Sequence, residues 1–99
     1  MVSSIEEKRL VTVIGSYVFI PNPCTTKPCL PGMAYAVKQQ GGTWFLTVEG
    51  KLLNEAYVWS DWTPQVGAKI AVTGYVKHLV DIFGEPYIVI EVQSVNKVK

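Results

Sequence analysis

The sequence predicts an all-β protein: one domain built as a single five-stranded antiparallel barrel, with at most one short helical turn. Three observations carry this. Apolar residues recur at every second position through most of the chain, the pattern of half-buried antiparallel strands. Glycine and proline interrupt these runs at short intervals, leaving no long helical segment. The chain has 99 residues, enough for one hydrophobic core. A small open sheet would leave unpaired edges, and closure removes them most simply.

The elements follow in order. "LVTVIGSYVFI", Leu10 to Ile20, is β-branched and aromatic. Gly15 interrupts it, as expected at a bulge or sharp bend. "PNPCTTKPCLPG", residues 21–32, ends the strand, because proline cannot join a ladder. "MAYAVKQQ" and "TWFLTVEG" flank Gly41 and Gly42 and read as a tight hairpin turning on the Gly-Gly pair. Residues 51–65 are less regular: Leu52 to Ala56 suits a helical turn and Tyr57 to Trp59 a short strand. "AKIAVTGYVKHLV" then alternates, with Ile70, Val72, Gly74 and Val76 on one side and Ala71, Thr73, Tyr75 and Lys77 on the other. After the tight connection "DIFGE", "PYIVIEVQSV" places Ile88, Ile90 and Val92 on one face and Val89, Glu91 and Gln93 opposite. The tail "NKVK" reads as a frayed end.

Composition narrows the function classes. Nearly half the residues are apolar, which belongs to a folded domain and not to a disordered tail. Nine basic and eight acidic side chains leave a net charge of +1, against a broadly basic nucleic-acid binder but not against a local patch. The start "MVSSIEEKRLVTV" has no apolar core or cleavage site of a signal peptide, and no apolar run is long enough to span a membrane.

"VGAKIAVTGYVKHLVDIFGEPYIVIEVQSV", Val66 to Val95, resembles the last two strands of the oligonucleotide/oligosaccharide-binding fold, the OB-fold. Gly67, Val72, Gly74, Gly84 and the run from Tyr87 to Val95 carry the likeness. The first strand, with Gly15 at its middle, is similar to the long bent first strand of that fold. The resemblance implies a Greek-key barrel and a ligand face on strands two and three. The loops after strands one and four would flank it, here Pro21 to Gly32 and Asp81 to Glu85. This chain departs from the family in having at most a turn where a helix usually lies, and in its proline and cysteine cluster.

Cys24 and Cys29 make a poor metal site. Zinc wants about four ligands, and the chain adds only His78, its one histidine. The spacing is not the C-x-x-C of a redox motif, and no βαβ unit surrounds it. A disulfide and free structural thiols remain, and the proline-rich surroundings suit the staple better. Such a bond would stabilise by about 2 kcal/mol through chain entropy and would indicate an extracytoplasmic location; free thiols would fit the cytoplasm.

The ligand-facing residues follow from parity. If Leu46 and Val48 point inward, Phe45 points out. If Tyr35 and Val37 point inward, Lys38 points out. Tyr75 and Lys77 share the outer side of strand four, and Phe83 tips the last loop. Lys38, Phe45, Tyr75, Lys77 and Phe83 would form a stacking platform with thin positive charge. Lys27 and Lys51 are scattered, and Glu49 and Asp81 interrupt the charge. Trp59 and Trp62 read as a packed cap, with a contact surface as the alternative. No catalytic, phosphate-binding or cofactor motif is present, so no enzyme and no cofactor is expected. The partner expected is single-stranded nucleic acid; the alternative is a protein or saccharide outside the cytoplasm.

Overall fold

A computed structural model describes residues 9–23, 32–59 and 62–98. These residues are all-β and contain no helix. The strands are β1 (Leu10–Pro21), β2 (Met33–Gln39), β3 (Gly42–Val48), β4 (Lys51–Leu52), β5 (Lys69–Val80) and β6 (Pro86–Lys97). They form one sheet in the order β2-β1-β5-β6-β3-β4, and β2 also pairs with β3. The hydrogen bonds therefore run round a ring, β1-β2-β3-β6-β5 and back to β1, with the two-residue β4 hung on β3.

The expectation of an antiparallel set fails at one pairing. β1–β2, β2–β3, β5–β6 and β1–β5 are antiparallel, whereas β3 runs parallel to β6, with Trp44 beside Ile88 and Leu46 beside Ile90. The reason is topological: a ring with an odd number of strands cannot alternate direction all the way round.

Two glycines let the ring close. β1 pairs with β5 from Leu10 to Ser16 and with β2 from Ser16 to Pro21, so it changes partner beside Gly15. A Cβ on Gly15 would collide with the backbone carbonyl of Lys38. Gly74 adjoins an irregularity between β5 and β6. There Thr73 pairs with Ser94 and Gly74 with Val92, so Gln93 has no partner on β5. This bulge resets the alternation, which is why Val95 and not Ser94 joins the core. A Cβ on Gly74 would meet the carbonyl of Glu91.

The interior is filled by Tyr17, Val37, Leu46, Ile70, Val72 and Ile90, all essentially inaccessible. The Tyr17 ring stacks on Tyr35 with centroids 4.9 Å apart. Burial, and next the proximity of Tyr35, push the Tyr17 hydroxyl well above the ordinary phenol range. That hydroxyl has no hydrogen-bond partner among the described residues.

Four local expectations are corrected. The tail is not frayed: Asn96 and Lys97 pair with Ala71 and Ile70 on β5, and Val98 N–H donates to Lys69 O (3.3 Å). The β2–β3 turn is Gln40–Gly41, one residue earlier than the Gly-Gly pair, because Gln39 already pairs with Gly42. Leu52 to Ala56 is not helical. Leu53 instead donates its N–H to Leu46 O (3.2 Å) and accepts from Tyr35 N–H (2.9 Å), while its side chain joins the core. Bonds to two strands, with burial, replace the local bonds of a helical turn. Tyr57 to Trp59 is not a strand; only Trp59 makes a bridge, with Trp62.

That bridge makes the cap. Trp59 N–H donates to Trp62 O (2.6 Å) and Trp62 N–H to Trp59 O (3.0 Å). A directly opposed pair shares one face. Trp59 is part of the core cluster and Trp62 packs against it. Lys97 Nζ lies 5.4 Å from the Trp62 ring centre, a cation–π contact that ties the cap to the end of β6.

Candidate ligand-binding face

Alternation along each strand sends one set of side chains into the ring and the other to its outer surface. Tyr35, Val37, Leu46, Val76 and Ile90 contribute to the core, so Lys38, Phe45, Tyr75 and Lys77 stand on the outer side. The register puts Ala36, Phe45, Val89 and Lys77 in one row across β2, β3, β6 and β5. Phe45 and Lys77 are thus two strands apart, about 10 Å at ordinary strand spacing. Lys38 lies opposite Thr43 in the adjacent row and is exposed. Tyr75 lies opposite Glu91 one row the other way. Phe83 does not join them: it sits at the tip of the β5–β6 connection, 70% exposed.

Tyr87 belongs to this face and was missed. Its ring meets Phe45 edge-on, with centroids 6.4 Å apart and an interplanar angle of 84°. Burial, and next the carboxylate of Asp81, raise its hydroxyl pKa. Sequence parity already put Tyr87 on the side of Val89 and Glu91; only its contact with Phe45 needed the fold.

Beside this pair lies a groove of about 390 Å³ lined by Thr47, Gly50, Lys51, Leu52, Asn54, Leu79, Tyr87 and Val89. Its β3–β4 wall is held by Glu91. One carboxylate oxygen accepts from the Thr47 hydroxyl (2.7 Å) and Gly50 N–H (3.0 Å), the other from Glu49 N–H (2.7 Å). The two turn residues both have positive φ, 54° at Glu49 and 78° at Gly50, as a two-residue hairpin favours. Glu91 is thus committed to backbone and hydroxyl donors, and Lys38, Lys51 and Lys77 are exposed, with the carboxylates of Glu49 and Asp81 among them.

The β5–β6 connection is equally fixed. Asp81 Oδ1 accepts from Phe83 N–H (2.8 Å) and Glu85 N–H (2.9 Å), and Gly84 takes φ 83°. Phe83 is therefore presented on an ordered turn.

Cys24, Cys29 and Lys27 lie outside the described residues. The ends of their loop are joined by Asn22 N–H donating to Gly32 O (3.1 Å). Among the described residues no cluster of three or more His, Cys, Asp or Glu could hold a metal ion, and no helix is long and apolar enough to cross a membrane. His78 is exposed on β5. Comparison of the chain with protein-family models, curated protein sequences and solved structures finds no match in any of the three.

Proposed function

We propose that this chain is a non-catalytic binding module with an OB-fold-like Greek-key barrel, and that it takes single-stranded nucleic acid across the outer surface of β2, β3 and β6. The fold reading is supported by the strand order round the ring. The ligand reading is carried by one observation above others: the Phe45–Tyr87 pair on the outer face, with Lys38, Lys51 and Lys77 exposed around it. Aromatic rings accept any base by stacking, and nearby lysines follow the phosphates. Lys38 and Phe45 hold the β2–β3 side, Tyr75 and Lys77 the β5 side, and Phe83 the flanking loop.

The test is a titration of fluorescently labelled mixed-sequence single-stranded DNA, followed by its anisotropy at low and near-physiological salt. Saturable binding that weakens with salt is expected. Phe45→Ala should weaken it by about 1–3 kcal/mol, the worth of one stacked base. Lys38→Ala should weaken it uniformly across sequences and lower the salt slope by about 1. Circular dichroism should show both variants folded. A flat titration at low salt would remove nucleic acid.

A second reading is a domain that binds a protein or saccharide outside the cytoplasm. It is favoured by the apolar end of the β5–β6 hairpin, where Val80 is 64% and Phe83 70% exposed. In that case Phe83→Ala should abolish partner binding while Lys38→Ala leaves it unchanged.

A further inference from the structure

β5 outruns its partner β1. The β1–β5 pairing stops at Leu10 opposite Tyr75, whereas β5 continues to Val80 and stays paired with β6 to Val80 opposite Pro86. Arg9 follows Leu10 into register opposite Val76, so only from Lys77 to Val80 does this edge of β5 have no strand beside it among the described residues. The direction of its backbone groups can be read off. Asp81 N–H donates across the hairpin to Glu85 O (3.0 Å). In an antiparallel strand the N–H and C=O of one residue point the same way and alternate along the chain. Leu79 and Lys77 accordingly face β6, while His78 and Val80 face the open edge. Pro86 opposite Val80 agrees, since proline has no N–H to exchange there.

From this edge we infer that the protein forms a two-fold dimer in which β5 of one copy pairs antiparallel with β5 of another, centred on Leu79. Charge selects the occupant and the register. With Leu79 opposite Leu79, Lys77 of each copy falls opposite Asp81 of the other, twice over. Centring on His78 sets Lys77 against leucine and two histidines against each other; centring between His78 and Leu79 sets Lys77 against Val80. Only the Leu79 centre pairs the charges, and opposite charges directly across a ladder stabilise it. The hydrogen-bond phase agrees. His78 and Val80 exchange N–H···O bonds with Val80 and His78 of the other copy. Leu79 becomes a close, non-hydrogen-bonded pair, in which side chains approach most nearly. Leu79 is 39% and Val80 64% exposed in the single chain, so apolar surface is there to bury. The interface is isologous, as a closed dimer requires. It does not depend on the nucleic-acid reading.

The test is sedimentation velocity of the full chain from low to high micromolar concentration, with amide hydrogen exchange at the open edge. A concentration-dependent dimer is expected, with the amides of His78 and Val80 protected only in the dimer. Lys77→Glu sets like charges opposite Asp81 and should weaken the dimer about tenfold or more. Leu79→Glu, which puts two carboxylates at the two-fold axis, should abolish it. Both positions are exposed, so both variants should keep the wild-type circular dichroism. A monomer at every concentration would overturn the inference. So would protection of these amides in a monomer, which would mean that the chain's own residues 1–8 cover the edge, or a dimer indifferent to both variants.

Discussion

A methyl group added at Gly15 would be driven against the carbonyl of Lys38, and one added at Gly74 against that of Glu91. Both obstacles are backbone in paired strands and cannot swing aside as a side-chain tip would. Gly15→Ala and Gly74→Ala are each expected to cost about 1–3 kcal/mol, seen as a lower urea midpoint. Tyr17 gives the opposite expectation. Its hydroxyl is buried and unpartnered among the described residues, and such a group costs about 1–3 kcal/mol. Tyr17→Phe should therefore raise the midpoint. The titration adds a signature. Below pH of about 10 the phenol is protonated both folded and unfolded and contributes no pH dependence. Above it the unfolded chain loses the proton first, because the folded pKa is raised. Fewer protons are then bound unfolded, and stability falls as pH rises by up to about 1.4 kcal/mol per unit. Tyr17→Phe should flatten that decline in alkaline urea melts. Glycine 15 was legible as a bend from its neighbours, but the loneliness of the Tyr17 hydroxyl was not, since it depends on what five strands place around it.

Among the elements, the β3–β4 turn shows how far a partner can lie from the segment it shapes. Glu91 on β6 satisfies Thr47, Glu49 and Gly50. Glu91→Ala should release them at about 1.5–3 kcal/mol, the range for hydrogen bonds to a charged group, and speed amide exchange at Glu49 and Gly50. Glu91→Gln, which keeps one acceptor oxygen, should fall between. The five long strands were legible, because period-two alternation is local: the parity read for β5 and β6 sets Ile70, Val72, Ile90 and Val92 in the core. What the sequence hid had non-local causes. Leu53 looked helical because its two backbone partners, Tyr35 and Leu46, lie on other strands. The β2–β3 turn moved to Gln40–Gly41 because register along the whole hairpin outweighed the Gly-Gly signal. The outer position of Phe45 followed from parity, whereas its contact with Tyr87 required β3 and β6 to be neighbours.

On the scale of the whole molecule, the ring was legible from the need to cover edges, but it was read as antiparallel throughout, although five strands in a ring cannot alternate all the way round. Which pair would supply the parallel joint was not legible, because β3 and β6 are far apart in the chain and carry no mark of each other. β6 is the keystone: it pairs with β5 along its length and with β3 from Ile88 to Glu91. A chain ending at Glu85 should lose cooperative unfolding in urea and show dispersed tryptophan emission, since β3 and β5 are both left with a bare side and the core loses Ile90, Val92 and Val95. Non-local strand pairing also folds slowly compared with helical proteins of the same size.

The parallel joint between β3 and β6 has a consequence for synthesis. A ribosome delivers β1, β2 and β3 first, and they can form only a three-stranded meander with both flanks unsatisfied. β5 then adds to β1 at the far side. No order of emergence lets β3 find its second neighbour before Ile88 to Glu91 have left the exit tunnel, so the nascent chain waits with Leu46 and Trp44 uncovered. The same joint suggests a split protein. Two fragments cut between β4 and β5 would each hold one half of the seam, and reassembly would be reported by the burial of Trp44.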